Sequence, residues 1–171
     1  MIWVTRNYVH VDRVACPWLI QRFVDKDAEF LFVPANEVET VANAVGGVPF
    51  DIPGVELTHR GKECSFDAII QKYKLIESAL LDLAEVVRIA DTGGEDPNLI
   101  AAGLDAIATG VPLITTNDHA ALQQQMVVYD ALLAFFRYKR LMAQYVDETK
   151  NMTRAERKAF YQKHYGTNVD T

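Results

Sequence analysis

A chain of 171 residues, half of them apolar and 23% charged, has enough apolar surface for one domain with its own core. That balance excludes disordered, collagen-like and low-complexity classes. The net charge of −6, from 17 basic and 23 acidic residues, argues against a general nucleic-acid-binding face. No apolar run approaches the ~20 residues of a membrane span, so no membrane partner is expected. Met1 to Arg6 lacks the basic start and apolar stretch of a secretory signal. Two cysteines, Cys16 and Cys64, are too few for a disulfide framework, although a single bridge between them stays open. The expected setting is the reducing cytoplasm.

In chain order, Ile2 to Thr5 is a short β-rich run. Val11 to Val24 carries Val14, Trp18, Ile20 and Phe23 on a helical stripe, with Asp12 placed to cap it. Pro17 leaves two readings open, a helix starting near Cys16 or one kinked at the proline. Glu29 to Val33 predicts a second strand ended by Pro34. Asn36 to Val45 predicts a helix with an Asn36/Glu39 capping box and Gly46-Gly47 past its end. Val55 to Thr58 predicts a third strand before the polar turn at His59-Arg-Gly61. Ser65 is placed to cap a helix over Phe66 to Tyr73, and Glu77 to Ala90 predicts another. Asp96-Pro97 reads as the start of a helix running to Thr109 and stopping at Gly110. From about Asp118 the chain runs some 28 residues without Gly or Pro. Leu122, Met126, Tyr129, Leu133 and Phe136 give that run a buried face ~40 Å long. Thr153 to Glu156 is a capping box for a last helix. Between Arg137 and Lys163 eight basic residues face three acids, either a solvated helix face or a contact surface for an anionic partner or second subunit.

Three groups of residues carry candidate chemistry. His10-Val-Asp12-Arg13-Val-Ala-Cys16-Pro-Trp18 crowds an imidazole, a carboxylate, a guanidinium, a thiol and an indole near one helix start. Such a start attracts anions and favours a thiolate, and Arg6 would add charge; an ordinary strand-to-helix turn is the alternative. His59-Arg-Gly61-Lys-Glu63-Cys64 places an imidazole and a thiol five residues apart across a glycine turn, suiting Zn²⁺ or another borderline metal, with Glu63, Cys16, His10, Asp91 and His119 as further donors. Ordinary turn and core residues would look the same. Arg88-Ile-Ala-Asp91-Thr-Gly-Gly-Glu95-Asp96 offers three acids for a hard cation or a base, or simply a capped loop. Asp118-His119 reads as a base pair or a helix cap, and Tyr129-Asp130 lies on the long helix with no partner legible. Gly-x-Ser-x-Gly, His-Glu-x-x-His and Gly-x-Gly-x-x-Gly are all missing from the sequence, which excludes the familiar hydrolase, zincin and dinucleotide sites.

Val11-Asp-Arg-Val-Ala-Cys-Pro-Trp-Leu-Ile20 with Arg22-Phe23 resembles the opening motif of the ChrB C-terminal domain family of chromate resistance proteins. Phe30 to Pro34, Pro49-Phe-Asp51 with Pro53-Gly54, and His59-x-Gly61 with Cys64-x-Phe66-Asp67-Ala68 are similar to later parts of the same pattern. Arg88-Ile-Ala-Asp91, Gly103-Leu104 and Tyr129-Asp130-Ala131-Leu132 continue it, so the resemblance covers roughly residues 2 to 140. It implies a part in chromate resistance, in some members as a chromate-responsive regulator. Family members carry a further region ahead of the Asp-Arg-x-Ala-Cys-Pro-Trp motif, which begins here at residue 12. The expectation is that this region is missing, and that nucleic-acid binding is missing with it.

The fold expected is α+β, a single domain over residues 1–171, with a small N-terminal α/β layer of short strands followed by a mainly helical part containing one long helix. The expected function is a chromate or heavy-metal stress protein that binds or senses an oxyanion or a metal. Arg6, Asp12, Arg13, Cys16, Trp18, Arg22 and Arg88 would bind the ligand, and His59, Cys64 and Asp91 a divalent metal such as Zn or Mn. A metal-dependent enzyme acting on a small molecule or reactive oxygen species is the alternative, with Arg88 or Asp12 orienting substrate. A helical module that forms a homodimer is the third reading.

Overall fold

The computed structural model describes residues 1–93 and 98–165. Its architecture is the α+β arrangement expected, a small parallel sheet at the N-terminus followed by helices. The sheet order is β2-β1-β3, from β1 (Ile2–Arg6), β2 (Glu29–Val33) and β3 (Val48–Pro49). β1 pairs with β2 from Ile2↔Glu29 to Arg6↔Val33, and with β3 through Trp3↔Val48 and Val4↔Pro49. The third strand therefore lies ahead of the expected Val55 to Thr58, where only a Phe50↔Leu57 bridge forms. A two-residue strand ending in proline leaves no alternating pattern to read. Its approach to β1 depends on Gly46, at φ +64, and on Gly47, where a Cβ would come 3.1 Å from the Ile2 carbonyl oxygen.

As the central strand, β1 is buried on both faces. Trp3 joins the main core, while Val4 packs with Val38, Ala42 and Ile52 in a second cluster. α1 (Asp12–Leu19) supplies Val14, Ala15, Trp18 and Leu19 to the main core, and α2 (Val38–Val45) supplies Val38 and Ala42 to the second. α1 begins at Asp12, with Pro17 inside it, and widens into a π-helical turn over Ile20–Val24. A helix starting near Cys16 is thereby excluded. α2 is preceded by a 3₁₀ turn over Ala35–Glu37 and has no side-chain cap, so the expected Asn36/Glu39 box does not form.

The other helices are α3 (Ser65–Tyr73), α4 (Ser78–Thr92), α5 (Leu99–Ile114), α6 (Asp118–Gln144), α7 (Val146–Thr149) and α8 (Arg154–Tyr165). α5 runs through Gly110 and Pro112 rather than stopping, because it packs on α4 and α6. Its cap is Asn98, whose side chain accepts from the N–H groups of Ile100 and Ala101. The readings placed on Glu95, Asp96 and Pro97 fall outside the described residues. α6 matches the expected long helix, with Leu122, Tyr129, Leu133 and Phe136 buried and Met126 half-buried. The Thr153/Glu156 box opens α8 as expected. Among the described residues no helix is long and apolar enough to cross a membrane.

Trp18 joins these layers. Its ring stacks on Tyr129 of α6 at 5.7 Å and on Phe66 of α3 at 6.3 Å, and its indole N–H donates to Asp130.

Candidate functional site

From β1 the chain leaves to β2 on one side, and β3 later joins on the other. In open parallel sheets the crevice beyond the strands' carboxyl ends forms where connections diverge in this way. The segments leaving β1 and β3 converge there, bringing Arg6, Asp12, Arg13 and Asp51 to one place. The His59 turn and the starts of α3 and the end of α4 close around them.

His59 is the centre. Its Nε2 lies 3.3 Å from Asp12 Oδ2, 3.3 Å from Asp91 Oδ2 and 3.4 Å from Asp51 Oδ1. Asp12 and Asp51 are almost wholly buried, Asp91 largely so, while the imidazole stays 39% exposed and gives the cluster its face to solvent. The hydrogen bond to Asp12 pushes the His59 pKa up to about 9 against the opposing effect of partial burial, and all three carboxylates add to the rise. Asp91 is pushed up to about 6, first by burial and then by the charges of Asp12 and Asp51.

The backbone and the arginines hold these carboxylates in place. Asp12 does not cap its own helix as expected; its Oδ2 accepts from the Ser65 N–H, 2.6 Å away, at the first turn of α3. The Asp12 N–H in turn donates to Asp91 Oδ1 at 3.2 Å. Asp51, at φ +54, accepts from Ser65 Oγ at 2.8 Å, from Arg13 Nη1 at 3.0 Å and from Arg6 Nη2 at 3.3 Å. The remaining donors of the Arg13 fork grip the carbonyl of Tyr8, which sits at φ +62. Asp118 fixes that same loop by accepting from the N–H groups of Tyr8 and Val9, while Asn117 caps α6 in the place expected of Asp118. Arg88 Nε donates to Asp67 Oδ2, which also accepts from the Cys64 N–H.

Of the expected ligand-binding residues, Arg6, Asp12 and Arg13 meet at this cluster, and Arg88 adjoins it through Asp67. Arg22 stands elsewhere, in a two-pronged bond with Asp130, and Trp18 is wholly buried in the core. Both thiols are buried, and burial together with the Asp12 charge pushes each well above its ordinary pKa. The expected thiolates are therefore neutral thiols, because Cys16 lies midway along α1 and Cys64, the N-cap of α3, faces carboxylates. Among the described residues, the donors close enough to share one metal ion are Asp12, His59 and Asp91, with ligand atoms all within 4.8 Å of one another. Asp12 stands where the sequence reading put Cys64. Of the other donors named, His10 meets Asp105 and Thr109, and His119 packs edge-to-face against Phe32.

Asp51 and Ser65 escaped the sequence reading as site residues. Asp51 lies outside any periodic element, in a left-handed conformation that aspartate tolerates, and the side chains that donate hydrogen bonds to it, Arg6, Arg13 and Ser65, are 14 to 45 residues away.

Comparison with known proteins covers the segment that carries these residues. Residues 3–136 match the family described as ChrB, C-terminal domain. Protein ChrB of Cupriavidus metallidurans is 35% identical over 139 residues, which are 81% of this chain and 41% of that protein. The chain thus spans less than half the length of the curated relative it matches. No solved structure matches it.

Proposed function

The chain belongs to the ChrB C-terminal domain family and is related to chromate resistance, and from that premise we propose that it is a cytoplasmic ligand-sensing domain whose ligand enters at His59. One observation carries this reading. Three carboxylates from α1, the segment after β3 and α4 converge on a single imidazole that remains open to solvent. Burying carboxylates is costly unless each is paired, and apolar residues would fill the same space at less cost. The expense is understandable if the cluster exists to respond to a ligand. The same residues tie the first turns of α1 and α3 to the last turns of α4, so occupancy at His59 acts on three helices at once.

The test is thermal denaturation of the purified protein with chromate, sulfate, Zn²⁺ or Mn²⁺. A ligand that binds only the folded state raises the melting temperature saturably. The reading expects such a rise with chromate or a metal ion, its loss in His59→Gln, and no comparable rise with sulfate. A melting temperature that ignores chromate and both metals would overturn it.

A further inference from the structure

We propose that Asp12, His59 and Asp91 bind one divalent transition-metal ion of the Zn²⁺ or Mn²⁺ class, a proposal that rests on the sensing reading and names the ligand of its site. The first argument is spacing. Zinc bonds to imidazole nitrogen and carboxylate oxygen are ~2.0–2.2 Å long, so two such donors on a tetrahedral ion stand ~3.4 Å apart. His59 Nε2 lies 3.3 Å from Asp12 Oδ2 and 3.3 Å from Asp91 Oδ2. A protonated His59 matches the same surroundings poorly. Its single Nε2–H can point at one oxygen, yet three oxygens surround it at 3.3–3.4 Å. Those distances exceed the ~2.7–2.9 Å of a good charge-assisted bond. A metal ion bonds several donors at once.

The second argument is charge. Arg6 and Arg13 are committed to Asp51, and Arg88 to Asp67. Among the described residues, the ion pairs of Asp12 and Asp91 are made with His59. A divalent ion with a neutral imidazole balances those two carboxylates, whereas an oxyanion at the same point would meet both of them. The third argument is an unpartnered atom. Asp12 is 1% exposed, and no N–H or O–H group bonds its Oδ1, the weak Cys64 thiol being the carboxylate's other hydrogen-bonding neighbour. A metal ion uses that spare acceptor capacity.

The surroundings also have the form of an outer shell. Metal-bound carboxylates and imidazoles are oriented by hydrogen bonds behind them. The Ser65 N–H fixes Asp12, the Asp12 N–H fixes Asp91, and Asp51 stands beside the imidazole, itself held by Ser65 Oγ. An imidazole with two carboxylates suits borderline and oxygen-loving divalent ions better than Cu⁺ or other thiophilic ions.

The experiment is calorimetric titration of the chelator-stripped full chain with ZnCl₂ and MnCl₂. Wild-type protein should take one equivalent of at least one of them. His59→Gln and Asp91→Asn should each weaken binding by about tenfold or more, with an unchanged circular dichroism spectrum. His10→Gln and His119→Gln should bind as wild type does. Asp91→Asn keeps an oxygen for the Asp12 N–H, and half-exposed His59 tolerates change. Should either variant fold poorly, Mn²⁺ broadening of the His59 ring signals in the wild-type NMR spectrum, ahead of those of His10 and His119, gives the same answer. Absence of saturable binding, or binding that both variants retain, overturns the metal site. Chromate stabilisation without metal binding would overturn this proposal and leave the sensing reading standing, while silence from every ligand would end both.

Discussion

The long helix α6 and the crevice beyond the sheet bury their side chains by opposite rules. Along α6, burial is mainly apolar: Leu122, Tyr129, Leu133 and Phe136 pack against α1, α4 and α5 through many weak contacts, and the one buried amide, Gln125, donates to the Ala121 carbonyl of its own helix. In the crevice, burial is ionic. Asp12, Asp51, Ser65 and Asp67 are all buried, and each depends on a few named partners. Apolar burial loses energy in proportion to the atoms removed. Ionic burial loses it by stranding whatever charge remains, so it tolerates substitution least and responds most to a bound ion or proton.

Removing Asp51 should break the comparison most sharply. Asp51→Ala strands Arg13, leaves Arg6 and Ser65 without their acceptor, and puts alanine at φ +54. Urea unfolding should show a loss of about 3–5 kcal/mol. On the apolar side, Leu133→Ala should cost about 3 kcal/mol through lost transfer energy and the cavity left behind. A loss under ~1 kcal/mol at Leu133 would mean that this face of α6 is not core.

The comparison predicts a smaller, pH-dependent difference as well. The folded His59 pKa of about 9 lies above its ordinary 6.5, so its contribution to stability is complete below about pH 6.5 and is lost as pH rises through about 9. Asp91, raised from 3.8 to about 6, loses its contribution over that lower interval in the same direction. Metal-free wild-type protein should therefore lose stability with rising pH, and its advantage over His59→Gln should shrink between about pH 6.5 and about 9. Leu133→Ala should show no such dependence relative to wild type. The smallest effect belongs to the exposed Arg140–Asp82 pair between α6 and α4, where Arg140→Ala should cost less than ~1 kcal/mol.

These differences also explain what the sequence could reveal. β1, β2 and α6 are legible because their patterns are local: β-rich runs bounded by Pro34 or a polar loop, and apolar steps of three and four. The motif strings pointed to Asp12, Arg13, His59 and Asp91, and the end of the preceding strand to Arg6. The roles of the acids were less legible. Asp12 and Asp118 carry the local signature of helix caps, yet each accepts from the backbone of a distant segment. A carboxylate suits either task equally, and only the tertiary fold decides between them. Spacing pointed to Cys64 as the donor beside His59 and left Asp12 out of the metal set; burial beside carboxylates keeps the thiol protonated, and the Asp12 oxygen faces His59 instead.

Anomalous scattering tests the location of the site most directly, because chromium, manganese and zinc are each identified by their own absorption edge. In crystals grown with Mn²⁺ or Zn²⁺, a peak should lie ~2.0–2.3 Å from His59 Nε2 and from carboxylate oxygens of Asp12 and Asp91. Peaks confined to other surfaces, with Asp12, His59 and Asp91 unmoved and bare at saturating metal, would contradict the account.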